Sequence, residues 1–165
     1  MPSEGRNQPD SQQVEIFGRS ALTAQLVADG LEVATPERDI GIDLLAYTLD
    51  PWGVVPVQMK CSRNAVFSVH RKYSRFPGLL MVYVWNVGSE DVEFYAMAWD
   101  EAHAIADRLG WTRTRSWEEG PQGGGYGTTR PSARVREELA VHRMRPGAWP
   151  NLVRRLRSDP GRNLG

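Results

Sequence analysis

Apolar residues recur three and four apart through "VEIFGRSALTAQLVA", from Val14 to Ala28, with Phe17, Ala21, Ala24 and Ala28 on one face and Leu22 and Leu26 beside them. That period predicts a helix, and Asp29-Gly30 supplies its stop. Gly18 and the small alanines predict a close approach to a sheet. The period then falls to two or gives way to short apolar runs. "LEVATP" predicts a first strand, "GIDLLAY" a second from Ile42 to Tyr47, and "VVPVQMK" a third, with "TLDPWG" as the turn between the last two. Pro56 inside the third marks an edge or a bulge, because proline removes a ladder donor. "VFSVHRKYSRF" predicts a loop and a short helix over Val69–Phe76, stopped by "PG". "LLMVYVWN" is almost wholly apolar, as for a central strand covered on both faces. "DVEFYAMAW" predicts a fifth strand, and Asp100 an N-cap for "EAHAIADRLG", closed by Gly110. After it, "WTRTRSWEEGPQGGGYGTTRP" predicts a long loop or a set of short strands. "SARVREELAVHR" predicts a helix capped by Ser132, followed by a last turn through Leu152 and Leu156. Residues 1–12 are polar and predict a flexible tail. The order of elements describes an α/β domain with helices flanking a central mixed sheet and a short helical C-terminal extension.

With 165 residues there is room for one domain. Formal net charge is zero, but its distribution is uneven. Residues 1–100 hold 8 basic and 13 acidic side chains, and residues 101–165 hold 12 and 7. No Asp or Glu lies between Asp50 and Glu90, where Lys60, Arg63, Arg71, Lys72 and Arg75 all fall, a local excess that attracts phosphates. Cys61 is the only cysteine, so it forms neither an internal disulfide nor a thiolate metal cage. The N-terminus lacks the apolar core of a signal peptide, and "GLLMVYVW" is far short of a membrane span. A cytoplasmic protein with no membrane partner is the expectation.

The hairpin carries the candidate chemistry. Gln58 and Lys60 are two apart and share one strand face, while Val57 and Met59 point to the other. If the second and third strands pair across "TLDPWG", Asp43 lies opposite the end of the third. A carboxylate, an amide oxygen and an ammonium then meet. Asp43 can ligate a hard divalent cation, Mg²⁺ or Mn²⁺, with the Gln58 side-chain oxygen and the Met59 carbonyl as further donors. Such a cation polarises a phosphate, and Lys60 can orient or deprotonate water and offset negative charge. By spacing alone, the same residues suit a strand-end carboxylate and the polar face of an edge strand.

The stretch resembles the PD-(D/E)xK nuclease superfamily, whose fold is restriction-endonuclease-like. The family aspartate of the second strand matches Asp43 in "GIDLLAY". The lysine of the third matches Lys60, and the acidic position falls on Gln58 in "VQMK"; several branches of the family carry Gln-x-Lys. A glutamate on the first helix would correspond to Glu15, and the helix followed by "L..DG..V..P" matches Val14–Pro36. The likeness covers about residues 14–109 and is closest to small stand-alone relatives similar to Holliday-junction resolvases, Mrr-type domains or homing-type nucleases. It implies a nuclease-like core over 13–110, an Arg-rich loop and helical extension over 111–165, and a Mg²⁺- or Mn²⁺-dependent endonuclease. Asp43, Gln58, Lys60 and Glu15 would be its catalytic residues.

DNA is the expected partner, ahead of RNA, and a homodimer suits an enzyme that cuts two strands. Arg63, His70, Arg71, Lys72, Arg75, Arg113 and Arg115 are the candidate nucleic-acid contacts. Two other functions use the same residues: a catalytically lapsed nucleic-acid-binding module of the same fold, and a non-enzymatic interaction or assembly protein whose Arg-rich tail meets an acidic partner. His70, His103 and His142 are too scattered for a zinc helix, and "GGGYG" lacks the Lys-Ser/Thr of a P-loop, reading instead as a flexible loop. Trp85 and Trp99 are expected in the core; Trp52 and Trp117 could stack a base or cover the domain.

Overall fold

The structure is a computed structural model that describes residues 9–119 and 123–157. The expectations for residues 1–8 and for the chain beyond residue 157 lie outside the described residues. Within them the tail is shorter than predicted. Asp10 accepts the Gln13 backbone N–H while the Gln13 side chain accepts that of Asp10, a reciprocal cap that starts helix α1 at Ser11 (Ser11–Ala28). The buried face of α1 runs through Val14, Gly18, Leu22 and Leu26, not through Phe17, Ala24 and Ala28, which are exposed. The larger aliphatic side chains set the rotation, because burying leucine removes more apolar area from water than burying alanine.

Strands β1 (Glu32–Ala34), β2 (Leu44–Leu49), β3 (Trp52–Cys61), β5 (Leu80–Trp85) and β6 (Glu93–Ala98) form one mixed sheet in the order β1-β2-β3-β5-β6. All its pairs are antiparallel except β3 with β5. Pro56 is tolerated inside β3 because of its register. The Val57 carbonyl accepts the Asp43 N–H, so by alternation Pro56 turns its missing donor towards β5, whose pairing begins only at Val57. β5 is buried along its whole length, as its composition predicts, although β3 and not β5 is the middle strand.

α1 and α5 (Trp149–Arg157) cover one face of the sheet, with Leu22, Leu26, Trp149 and Val153 packed on Val55, Val57, Val82 and Ala96. The other face packs Met81, Tyr83 and Met97 against α2 (Trp99–Arg108), α3 (Arg115–Glu118) and α4 (Ala133–Ala140). Chain beyond residue 110 thus contributes to both cores. Among the described residues no helix is long and apolar enough to cross a membrane.

Local predictions fare differently. The short helix predicted over Val69–Phe76 is present as a 3-10 helix, Arg71–Arg75, but the loop before it is strand β4 (Phe67–His70). β4 finds a partner in β7 (Gly125–Thr128), a short strand within the stretch predicted as a long loop or a set of short strands, where "GGGYG" reads as a flexible loop, and the two make a second sheet. Glycine is needed there: a Cβ on Gly127 would meet the Ser68 Cβ at 2.6 Å. Asp100 does not cap α2, which begins one residue earlier; instead Glu101 reaches back and accepts the Ala98 N–H at 2.8 Å.

Candidate functional site

β2 stops at Leu44 while β3 continues to Cys61, so the end of β3 loses its ladder partner on that side. The Asp43 side chain takes the vacant place. Its Oδ2 accepts the Met59 backbone N–H at 2.7 Å and Gln58 Nε2 at 2.7 Å. Gln58 Nε2 also donates to the Met59 carbonyl at 3.0 Å, so two acceptors fix the orientation of the amide. Gln58 is only 5% exposed, and its Oε1 has no hydrogen-bond partner. An orphaned buried acceptor costs about 1–3 kcal/mol, which is out of place in a well-packed strand unless a water or a ligand relieves it. Both donors to Asp43 fall on Oδ2, leaving Oδ1 without one among the described residues.

Asp43, Gln58, Met59 and Lys60 line one cavity of about 630 Å³, and Glu15 of α1 lines it too. Strand alternation produces this set: Val55, Val57 and Met59 pack into the core beneath α1 and α5, while Gln58 and Lys60 face away from it. The Glu15 carboxylate is not free in the cavity, because Arg19 holds it at 2.8 Å one helical turn away. Lys60 Nζ donates to the Tyr73 hydroxyl at 3.1 Å. Nothing in the sequence singles out Tyr73, whose segment reads as a generic basic helix; the 3-10 helix that follows β4 brings it to the cavity wall.

Burial raises the Asp43 carboxyl above its ordinary value, against the opposing pull of the Met59 N–H and the Lys60 ammonium, and Glu15 and Asp39 add to the rise. A carboxylate held this way gains from a cation nearby. Burial, helped by Asp43 and Glu15, pushes the Cys61 thiol up to about 12, so it stays protonated and is no nucleophile.

The predicted nucleic-acid contacts separate into two groups. Lys72 and Arg75 line the cavity. Arg63, His70, Arg71, Arg113 and Arg115 do not. Arg71 turns to the Trp117 carbonyl at 3.3 Å, and Arg115 pairs with Glu119, just past the end of its own helix. His70 sits behind the lysines, its imidazole held below the ordinary value by burial and then by Lys60 and Lys72. Trp85 is buried, Trp99 is half-buried, and Trp117 is a cover residue, with His103 between the Trp99 and Trp117 rings. Trp52 is 69% exposed beside Tyr47 at the hairpin tip.

Comparison of the chain with family models, with curated proteins and with solved structures finds no match. The chemistry therefore has to be read from the cavity. Its donors near Asp43 are all oxygen, which suits Mg²⁺ or Mn²⁺. Among the described residues no three His, Cys, Asp or Glu side chains gather as a metal cage. To such a cation the protein could offer one carboxylate oxygen, one amide oxygen and the Met59 carbonyl, so most of its shell would have to come from water or from a ligand.

Proposed function

We propose that the protein is a Mg²⁺- or Mn²⁺-dependent endonuclease that hydrolyses phosphodiesters, DNA ahead of RNA. The observation that carries this reading is the buried, unpartnered Gln58 Oε1 beside Asp43, in a cavity that also holds the Lys60 ammonium. Asp43 and the Met59 carbonyl would hold the cation, and Gln58 Oε1 would join them once the amide turns over, since Nε2 faces both of these acceptors in the metal-free site. When bound, the cation supplies Lewis-acid polarisation of the phosphate. Asp43 contributes the fixed negative charge. Lys60, steadied by Tyr73, offsets charge that develops on the phosphate and exchanges a proton with the attacking water. Glu15, paired with Arg19, acts on Asp43 through charge and not by contact.

The mixed five-stranded sheet, with Asp43 just before the second strand and Gln58 and Lys60 near the end of the third, supports a restriction-endonuclease-like core and the likeness to PD-(D/E)xK nucleases. A lapsed binding module draws on the single carboxylate of the donor set. Assays of linear, nicked and branched DNA and of structured RNA, each with Mg²⁺, Mn²⁺ or chelator, separate the two. The nuclease cuts at least one substrate with metal and none with chelator, whereas the lapsed module binds and never cuts. A protein that neither binds nor cuts is the assembly protein.

A further inference from the structure

Lys72 and Arg75 take no part in the proposed hydrolysis, yet both line its cavity. They belong with Lys60 to one construction. Tyr73 is buried, and its ring carries two ammonium groups, with Lys60 Nζ 5.3 Å and Lys72 Nζ 5.0 Å from the centre. Arg75 spends one Nη2 donor on the Ile40 carbonyl at 2.9 Å, which leaves other donors of its fork for a ligand. Like charges held around one ring repel, and none of the ion pairs among the described residues includes Lys60, Lys72 or Arg75. The carboxylates nearest the cavity are engaged elsewhere: Asp43 with Gln58 and Met59, Glu15 with Arg19, and Asp39 with the Gly41 N–H at 3.1 Å. The lysines also add to burial in lowering the His70 imidazole, so their field is felt across the wall.

We propose that Lys60 and Lys72, both on Tyr73, together with Arg75, stacked on Phe76 at the same cavity, form a phosphate-binding subsite separate from the oxygen pair of Asp43 and Gln58. The subsite holds a phosphate group with no metal present. Only in its account of the second wall does this rest on the hydrolytic reading: a substrate spanning both walls carries at least two phosphates, one at Asp43 and Gln58 and another, internal or terminal, at Lys72 and Arg75.

The test is binding in chelator, where nothing is cleaved. Inorganic phosphate is titrated calorimetrically, and labelled oligonucleotides with a 5′-phosphate or a 5′-hydroxyl are titrated by anisotropy across salt concentrations. Wild type binds inorganic phosphate. Lys72→Ala and Arg75→Ala, at exposed positions that leave the fold intact, each weaken it severalfold, and Arg115→Ala, outside the cavity, does not. For oligonucleotides the slope of log affinity on log salt falls by about 0.7–0.9 per cation removed. If the 5′-phosphate adds affinity that the variants abolish, the ligand is a terminal phosphate. If both oligonucleotides lose equally, it is a backbone phosphate. Variants that bind inorganic phosphate and both oligonucleotides with wild-type affinity and slope overturn the subsite. A wild type that never cuts leaves these measurements standing, so the hydrolytic reading and the subsite fail separately.

Discussion

Gly18→Ala tests how α1 is seated over the end of β3. A Cβ at Gly18 would sit well inside contact distance of the Cys61 sulfur and 3.1 Å from its Cβ, with the Val87 Cγ2 at 3.7 Å behind. The helix gains from the exchange, since alanine is favoured over glycine by about 1 kcal/mol in a helix interior. The clash works against it: overpacking a tight contact costs about 1–3 kcal/mol, because either Cys61 leaves its rotamer or α1 moves outward. The net expectation is a loss of about 1 kcal/mol, the middle of a span of about 0–2, read as a fall in Tm of about 2–4 °C for each kcal/mol in a chain of this size. The same shift displaces Ser11 and Glu15, which lie on the same helix and line the cavity. Thermal melts of wild type, Gly18→Ala, Cys61→Ala and the double variant make the assay. Removing the sulfur should recover much of the loss, giving a coupling of about 1 kcal/mol. A Gly18→Ala protein stabilised by the full helix gain of about 1 kcal/mol, or effects that simply add, would refute the close approach.

Three further outcomes follow from contacts elsewhere. Asp29 accepts the Gly147 N–H at 2.8 Å and the Trp149 N–H at 3.2 Å, capping α5 from a distant part of the chain, so Asp29→Ala should cost about 1–2 kcal/mol in chemical denaturation. Gln58→Glu replaces both amide donors with a carboxylate facing Asp43 and the Met59 carbonyl; it should melt lower in chelator and recover on adding Mn²⁺ by a larger margin than wild type, which differential scanning fluorimetry would show. The Glu101 carboxyl lies below its ordinary 4.5: burial pushes it up, but the Arg155 hydrogen bonds and the Ala98 N–H outweigh burial. Its contribution to stability is therefore complete above 4.5 and is lost as pH falls through the depressed value, so Arg155→Ala should lower stability at neutral pH and flatten the acid limb of a stability–pH profile.

The hairpin was legible because strand period leaves few choices. Once Val57 and Met59 face the core, Gln58 and Lys60 must face away, and pairing across Asp50 and Pro51 brings Asp43 opposite Gln58. The β4–β7 sheet was not legible. His70 and Gly125 are partners 55 positions apart, and their segments carry helix-like basic spacing and loop-like glycines, so only tertiary pairing makes them strands. Tyr73 was hidden too, because its importance comes from what lies across the cavity from it. Arg71 and Arg115 were overvalued for a related reason: charge read along a sequence does not say which groups are spent on Trp117 or Glu119. The rotation of α1 was misjudged by counting alanines as equal to leucines.

The central claim is that Asp43 and Lys60 act together on a phosphodiester, and single-turnover cleavage at saturating substrate with Mn²⁺ tests it most directly, because differences in substrate binding then drop out. Wild type, Asp43→Ala and Lys60→Ala are compared on the substrate that wild type cuts, with affinity measured in parallel in chelator. Each variant should lose about 10²-fold or more in rate, the scale of a lost proton-transfer or charge-stabilising group, while Asp43→Ala keeps its grip on the nucleic acid. Variants that cut at the wild-type rate, or a wild type that binds DNA and never cuts with either metal, would contradict it.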